Sequence, residues 1–274
     1  MIIAIISAIG IFVAFLVLLI ALLWIFQERI AFQPPPSPPT TQEEQDDVRQ
    51  DFYRAADNQP LLAYVIGNSE TVKGLLLCFH GNADLAVNGI NWAKKVAQLT
   101  GFAVMLAEYR GYMNLGGHPS YLRSQVDSEA AFIHVTESLG FRHDRVALYG
   151  HSLGTAVASE LAARHRPLCL MLESPFTSAQ AMARIIAWRG IEIAWGVISR
   201  FRFDTLAVVA SIDAPVWVAH GTSDRLIPPA MGEEVFAAAR VKGQLLLVPG
   251  AAHSDVAAVG GDEYWRWIAA ALAS

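Results

Sequence analysis

Cysteine is nearly missing from this chain: there are two among 274 residues, Cys78 and Cys169, and both sit inside apolar runs. Two thiols make neither a disulfide framework nor a cysteine-only zinc site, and their surroundings read as core. Charge is scarce too, at 16% of residues, and it is not basic. Twenty Lys and Arg stand against 25 Asp and Glu, a formal net charge of −5. Such a balance provides no global positive field to draw the chain onto nucleic acid. The sequence shows no phosphate-binding loop, metal cluster or nucleic-acid motif, and no internal repeat. A hydrophobic share of 54% excludes an intrinsically disordered chain.

The absence of charge is most pronounced at the N-terminus. From Ile2 to Phe26 no side chain is charged, and only Ser7 and Gly10 interrupt the apolar residues. As a helix, this run would extend about 37 Å, enough to cross a hydrocarbon core of about 30 Å with some tilt. A cleaved secretory signal would carry a basic leading region, a shorter apolar run and a small-x-small site before Gln27-Glu28-Arg29, and none is present. The reading is an uncleaved transmembrane anchor over residues 1–27, held in the bilayer by 2–26, with Trp24 and Phe26 at the interface. Arg29 alone follows closely, which leaves the membrane side of the remainder open. Residues 28–50 read as a linker. Pro34-Pro35-Pro36-Ser37-Pro38-Pro39 favours a stiff polyproline spacer, and the acidic stretch Glu43-Glu44-Gln45-Asp46-Asp47 follows it.

Residues 51–274 read as one large α/β domain. Short apolar runs at Leu75–Phe79, Ala103–Ala107, Val146–Tyr149, Leu168–Leu172, Val216–Ala219 and Leu245–Val248 have the near-continuous hydrophobicity of strands buried on both faces. Helical patterns separate them, with apolar faces predicted at Leu122, Val126, Ala130 and Ile133 and at Trp265, Ile268, Ala269 and Leu272. Phe52–Ala56 and Leu61–Ile66, with a turn at Asn58, predict an antiparallel hairpin on the sheet edge. The alternation argues for a mostly parallel sheet flanked by helices. Function in such sheets sits beyond the C-terminal strand ends.

Three of those strand ends carry compatible chemistry. The run at Val146 ends in Gly150-His151-Ser152-Leu153-Gly154, a G-x-S-x-G between a strand and a helical pattern, where a sharp turn exposes the serine hydroxyl. A serine is a weak nucleophile until a base takes its proton. Among eight histidines, His253 follows the final strand in the small-residue loop Pro249-Gly250-Ala251-Ala252-His253. Asp224 follows the preceding strand, placed to hold the imidazole tautomer, with Asp204 and Asp213 as weaker alternatives and Asp255 too near His253. The order Ser152, Asp224, His253 is the α/β-hydrolase order. For the oxyanion, the backbone N–H of Leu153 opens the helix after the serine, and that of Asn82 lies in the loop His80-Gly81-Asn82-Ala83. His80 reads as a structural residue of that loop.

Together with Glu108-Tyr109-Arg110-Gly111-Tyr112, Glu173-Ser174-Pro175-Phe176, Phe203-Asp204-Thr205 and His220-Gly221-Thr222-Ser223-Asp224, these motifs resemble the α/β-hydrolase superfamily over residues 70–260. Within it the chain is similar to the membrane-anchored Bem46-like group that includes α/β-hydrolase-domain proteins 12, 13 and 17. The resemblance implies a serine hydrolase of acyl esters or thioesters needing no metal or organic cofactor. It departs after Tyr112, where Met113 and Leu115 replace the Gly and Ser that the family tends to have. Residues 177–211, rich in Ile and Trp and broken by arginines, sit where this fold carries a cap. They read either as an acyl-chain pocket touching lipid or as an ordinary helix pair. A peptidase on the same triad and a silent membrane-tethered scaffold are the competing functions.

Overall fold

The computed structural model describes residues 2–37, 47–67, 72–186, 195 and 199–273. Pro38, Pro39 and Glu43, Glu44, Gln45 and Asp46 lie outside the described residues, as do Trp188, Arg189, Ile191, Ile193 and Ile198 of the 177–211 segment.

A long helix, α1 (Ile2–Ala31), leads the chain. An eight-stranded sheet follows, built from β1 (Val48–Arg54), β2 (Pro60–Ile66), β3 (Leu75–Phe79), β4 (Ala103–Ala107), β5 (Val146–His151), β6 (Leu170–Glu173), β7 (Val216–Gly221) and β8 (Lys242–Val248). The spatial order is β1-β2-β4-β3-β5-β6-β7-β8. β2 runs antiparallel to both its neighbours, and the pairs from β4 to β8 are parallel. The hairpin on the sheet edge forms as expected, with Asn58 in the left-handed region at φ 65°. Helix α2 (Ile90–Thr100) packs with the C-terminal helix α8 (Val256–Leu272) on one face. On the other face α3 (Tyr121–Ile133) meets α4 (Leu153–Arg164), which is followed by α6 (Thr205–Val209) and α7 (Pro229–Ala238). A short helix, α5 (Ala179–Ile186), lies in the connection between β6 and β7.

Strands β3, β4 and β6 are buried at every residue, which is why they read as unbroken apolar runs. Two helix faces differ from the sequence expectation. In α3 the buried residues are Ser124, Asp127, Ser128, Ala131, Phe132 and, as expected, Ala130, whereas Leu122 and Ile133 are exposed. The cause is the neighbour: α3 lies against α4 and meets it through polar pairs, Tyr121 with Glu160 and Gln125, Ser128 and Glu129 with Arg164. In α8 the buried set is Tyr264, Trp267, Ile268, Ala271 and Leu272, turned away from the predicted Trp265 and Ala269.

Register decides where the loops converge. Phe79 is level with Gly150, His151 with Glu173, and Gly221 with Val248. The segments leaving β3, β5, β6, β7 and β8 therefore emerge side by side, carrying His80 to Ala83, Ser152, Ser174, Asp224 and His253.

Candidate active site

Ser152 stands between β5 and α4 with φ 53° and ψ −116°, a conformation that L-residues rarely adopt and one that costs on the order of 1–3 kcal/mol. The surroundings hold it there. Its N–H donates to the Glu173 carbonyl at 2.9 Å, and its own carbonyl accepts from the Thr155 hydroxyl. The flanking glycines are obligatory for contact reasons. A Cβ on Gly150 would lie 2.2 Å from the Gly154 carbonyl oxygen, and one on Gly154 would lie 2.1 Å from that of Phe79.

His253 Nε2 is 2.9 Å from Ser152 Oγ, and His253 Nδ1 is 2.7 Å from Asp224 Oδ2. The three side chains thus form a continuous hydrogen-bonded chain. A proton on Nδ1 pointing at the carboxylate leaves Nε2 to accept from the serine. Asp224 is buried, and burial works against its charge. Hydrogen bonds from His220, His253 and the Ile227 N–H outweigh that effect and hold the carboxyl well below the usual carboxylate range. The other carboxylates weighed from the sequence are occupied elsewhere. Asp204 caps α6 through the Ala207 N–H, Asp213 pairs with Arg240, and Asp255 accepts from the Ala252 N–H.

Three supporting residues were not assigned from the sequence. His220, fully buried, donates from Nε2 to the Ile227 carbonyl at 3.0 Å and lies 3.2 Å from Asp224 Oδ2. His151 Nε2 and Ser174 Oγ both donate to the His253 carbonyl, at 3.1 and 3.3 Å, so the histidine loop is fixed through its backbone. Ser174 shares the left-handed backbone of Ser152, with φ 51°. The available signal was a histidine four residues before the acid and polar residues at both neighbouring strand ends.

Leu153 opens α4, so its N–H is among the amides that a helix leaves without an internal partner. Asn82 lies opposite on the β3 loop, which the Glu108 motif holds in place. His80 Nε2 and Nδ1 donate to Glu108 Oε1 and to the Gly81 carbonyl, both at 2.8 Å. Both partners are acceptors, so the ring is an imidazolium. Burial opposes that charge, but the Glu108 carboxylate prevails and raises His80 above the ordinary histidine value. Glu108 Oε2 also accepts from the Ala86 N–H, the Tyr109 hydroxyl donates to the His80 carbonyl, and the Tyr112 hydroxyl donates to Asn82 Oδ1. Arg110 is buried between Asp127 at 2.9 Å and Asp57 at 2.6 Å. In the divergent loop after Tyr112, Met113 and Asn114 take left-handed backbones, and Gln59 Nε2 donates to the Leu115 carbonyl.

A cavity of about 1100 Å³ opens over Ser152 and His253. Its lining is mainly apolar, with Trp92, Phe176, Met182, Trp195 and Phe201 among the walls. Glu173 also faces it, with Oε2 accepting from the Tyr149 and Tyr264 hydroxyls at 2.8 and 2.6 Å.

The sheet order, the helices on both faces and the strained serine turn define an α/β-hydrolase fold, and the chain resembles the α/β-hydrolase-domain and Bem46 proteins. Its relatives include the uncharacterised Mycobacterium tuberculosis protein Rv2307c, 35% identical over 57% of this chain and 54% of that protein. They also include human α/β-hydrolase domain-containing protein 17B, 28% identical over 70% of this chain and 64% of that one, and Schizosaccharomyces pombe Bem46, 29% identical over 80% and 75%. The chain therefore spans about half to two thirds of the length of the first two of these relatives. Among solved structures, the Pyrococcus furiosus esterase Pf2001 superposes with a TM-score of 0.69 at 17% identity, over 88% of this chain and 98% of that one. No protein-family model matches the chain.

Proposed function

We propose that this protein is a membrane-anchored serine hydrolase that cleaves carboxylic ester or thioester bonds of acyl or lipid-like substrates. The observation that carries the reading is the hydrogen-bonded chain from Ser152 through His253 to Asp224 on the floor of an apolar cavity. Relatives named as α/β-hydrolase-domain proteins and a structural neighbour named as an esterase support it.

His253 Nε2 takes the proton of Ser152 Oγ as the oxygen attacks the acyl carbonyl. Asp224 stabilises the imidazolium that results, and the N–H groups of Leu153 and Asn82 receive the oxyanion. The same proton passes to the departing alkoxide or thiolate. A water, deprotonated by His253, then attacks the acyl-enzyme and frees the acid and Ser152. The chemistry uses side chains and amides of this chain alone, with no metal or organic cofactor. In this reading α1 is the anchor over residues 1–27, 28–50 link it to the catalytic domain 51–274, and the segment 177–211 is a small cap.

Ser152→Ala is expected to abolish hydrolysis of p-nitrophenyl butyrate while leaving the circular dichroism of the purified protein unchanged. Full turnover by that variant would overturn the assignment. Glu173 supports a second reading, since a carboxylate facing the cavity is what a peptidase needs to hold a free amine. Turnover of aminoacyl-naphthylamides in place of esters would select it. The first reading is favoured because two tyrosine hydroxyls already engage Oε2 of this carboxylate.

A further inference from the structure

Helix α1 does not end where its apolar run ends. Ile3 and residues 5–22 are exposed, and then a stripe turns inward: Leu23 is half-buried, Gln27 fully buried, Ala31 half-buried and Phe32 buried. Spacings of four place Leu23, Gln27 and Ala31 on one helix face. The end of the helix and the residues just after it are fastened to the domain. Gln27 Oε1 accepts the Arg200 N–H at 2.7 Å, the Arg200 guanidinium lies 4.8 Å over the Trp24 ring, and the Gln33 N–H donates to Asn82 Oδ1 at 2.8 Å. Phe32 meets Phe201 at a ring separation of 5.9 Å. Leu23, Ile30 and Ala31 line the same cavity as Ser152 and His253.

We infer that the last turns of α1 are one wall of the acyl site, and that the acyl chain held there comes from the bilayer that α1 spans. The inference rests on the serine-hydrolase reading and narrows its substrate class to esters or thioesters whose acyl chain resides in the membrane. Leu23 lies inside the uncharged run, and charge first returns at Glu28 and Arg29. From Leu23 to Ala31 the helix rises about 12 Å. The wall therefore runs from the hydrocarbon edge to the loop that carries Asn82. A chain sliding along it would exchange lipid contacts for Leu23 and Ile30 without crossing water, and its carbonyl would arrive at Ser152. Met182, Trp195 and Phe201, which also line the cavity, are apolar as well.

The test uses the full chain reconstituted in phosphatidylcholine vesicles containing p-nitrophenyl palmitate, with p-nitrophenyl butyrate supplied from the aqueous phase. The readout is the palmitate-to-butyrate ratio of kcat/KM. Leu23→Trp and Ile30→Trp fill the wall and are expected to lower that ratio about tenfold or more. Ile30 is half exposed, so it tolerates the larger ring should Leu23→Trp fail to assemble. Leu22→Trp, on the lipid-facing side of α1, is expected to leave the ratio within about twofold of the parent. Palmitate embedded in the enzyme's own vesicles is expected to turn over faster than palmitate held in separate vesicles. Ratios unchanged in both wall variants, or equal rates from the two vesicle populations, would overturn the inference while butyrate turnover left the hydrolase reading standing. Loss of all ester turnover in the parent protein would overturn both.

Discussion

Asp224 holds more partners than a serine hydrolase triad requires. Oδ2 faces His253 and His220, and Oδ1 accepts the N–H groups of Leu226 and Ile227 at 2.8 and 2.9 Å. These bonds overcome burial and depress the carboxyl's titration. The stabilisation that they give is complete above the unfolded carboxylate value of about 3.9 and is lost only as pH falls through the depressed folded value. Asp224 consequently stays ionised to below the ordinary carboxylate range. Asp224→Asn keeps the shape but invites the wrong imidazole tautomer. A fall in kcat of about 10³–10⁴ is expected, measured on p-nitrophenyl butyrate with the fold checked by circular dichroism. At this scale the sequence was legible in position: Ser152, Asp224 and His253 stand at the strand ends where they were expected, and the fold brings them into hydrogen-bond contact. His220 was not, because a histidine beside an acid in sequence has no mark of being buried behind it.

Among the elements, the segment after β4 has the most work per residue. In Glu108-Tyr109-Arg110-Gly111-Tyr112 the first, second and fifth side chains all bond to the loop of His80 and Asn82. Arg110 meanwhile ties the base of that segment to α3 through Asp127. Arg110→Met would leave Asp127 buried without its cation, and a loss of about 3–5 kcal/mol is expected in denaturant unfolding. Glu108→Gln removes the counter-charge of His80. Because His80 titrates above its ordinary value, its contribution to stability is full below about 6.5 and is lost as pH rises through the raised value. The thermal midpoint of the parent is therefore expected to fall as pH climbs above neutral, and Glu108→Gln to flatten that slope. Kinetically, Glu108→Gln is expected to lower kcat about tenfold, more than it changes KM, if the loop serves the transition state as proposed. A flat parent profile, or a change confined to KM, contradicts this role. The motif was visible in the sequence, but which of its residues touch the loop depends on register between β3 and β4. The face of α3 escaped for a related reason: periodicity reports apolar residues, while α4 meets that helix through polar pairs.

Over the whole molecule, the sheet was legible because parallel strands buried on both faces advertise themselves as apolar runs. The docking of α1 was not. Gln27 and Phe32 look in sequence like the ragged end of an anchor, and only the fold shows them buried against the segment around Arg200. As an uncleaved anchor, α1 is expected to keep the full chain in the membrane fraction after an alkaline carbonate wash, with an intact mass that retains residues 1–27. Release of the protein, or a mass lacking that segment, contradicts the anchor. The central claim is that Ser152 is an activated nucleophile, and covalent labelling tests it most directly. The detergent-solubilised full chain is treated with a fluorophosphonate probe and the adduct is mapped by peptide mass. One adduct on Ser152, absent from Ser152→Ala of the same fold, is the expected result. A folded protein that takes no label, or a label that persists in Ser152→Ala, contradicts the account.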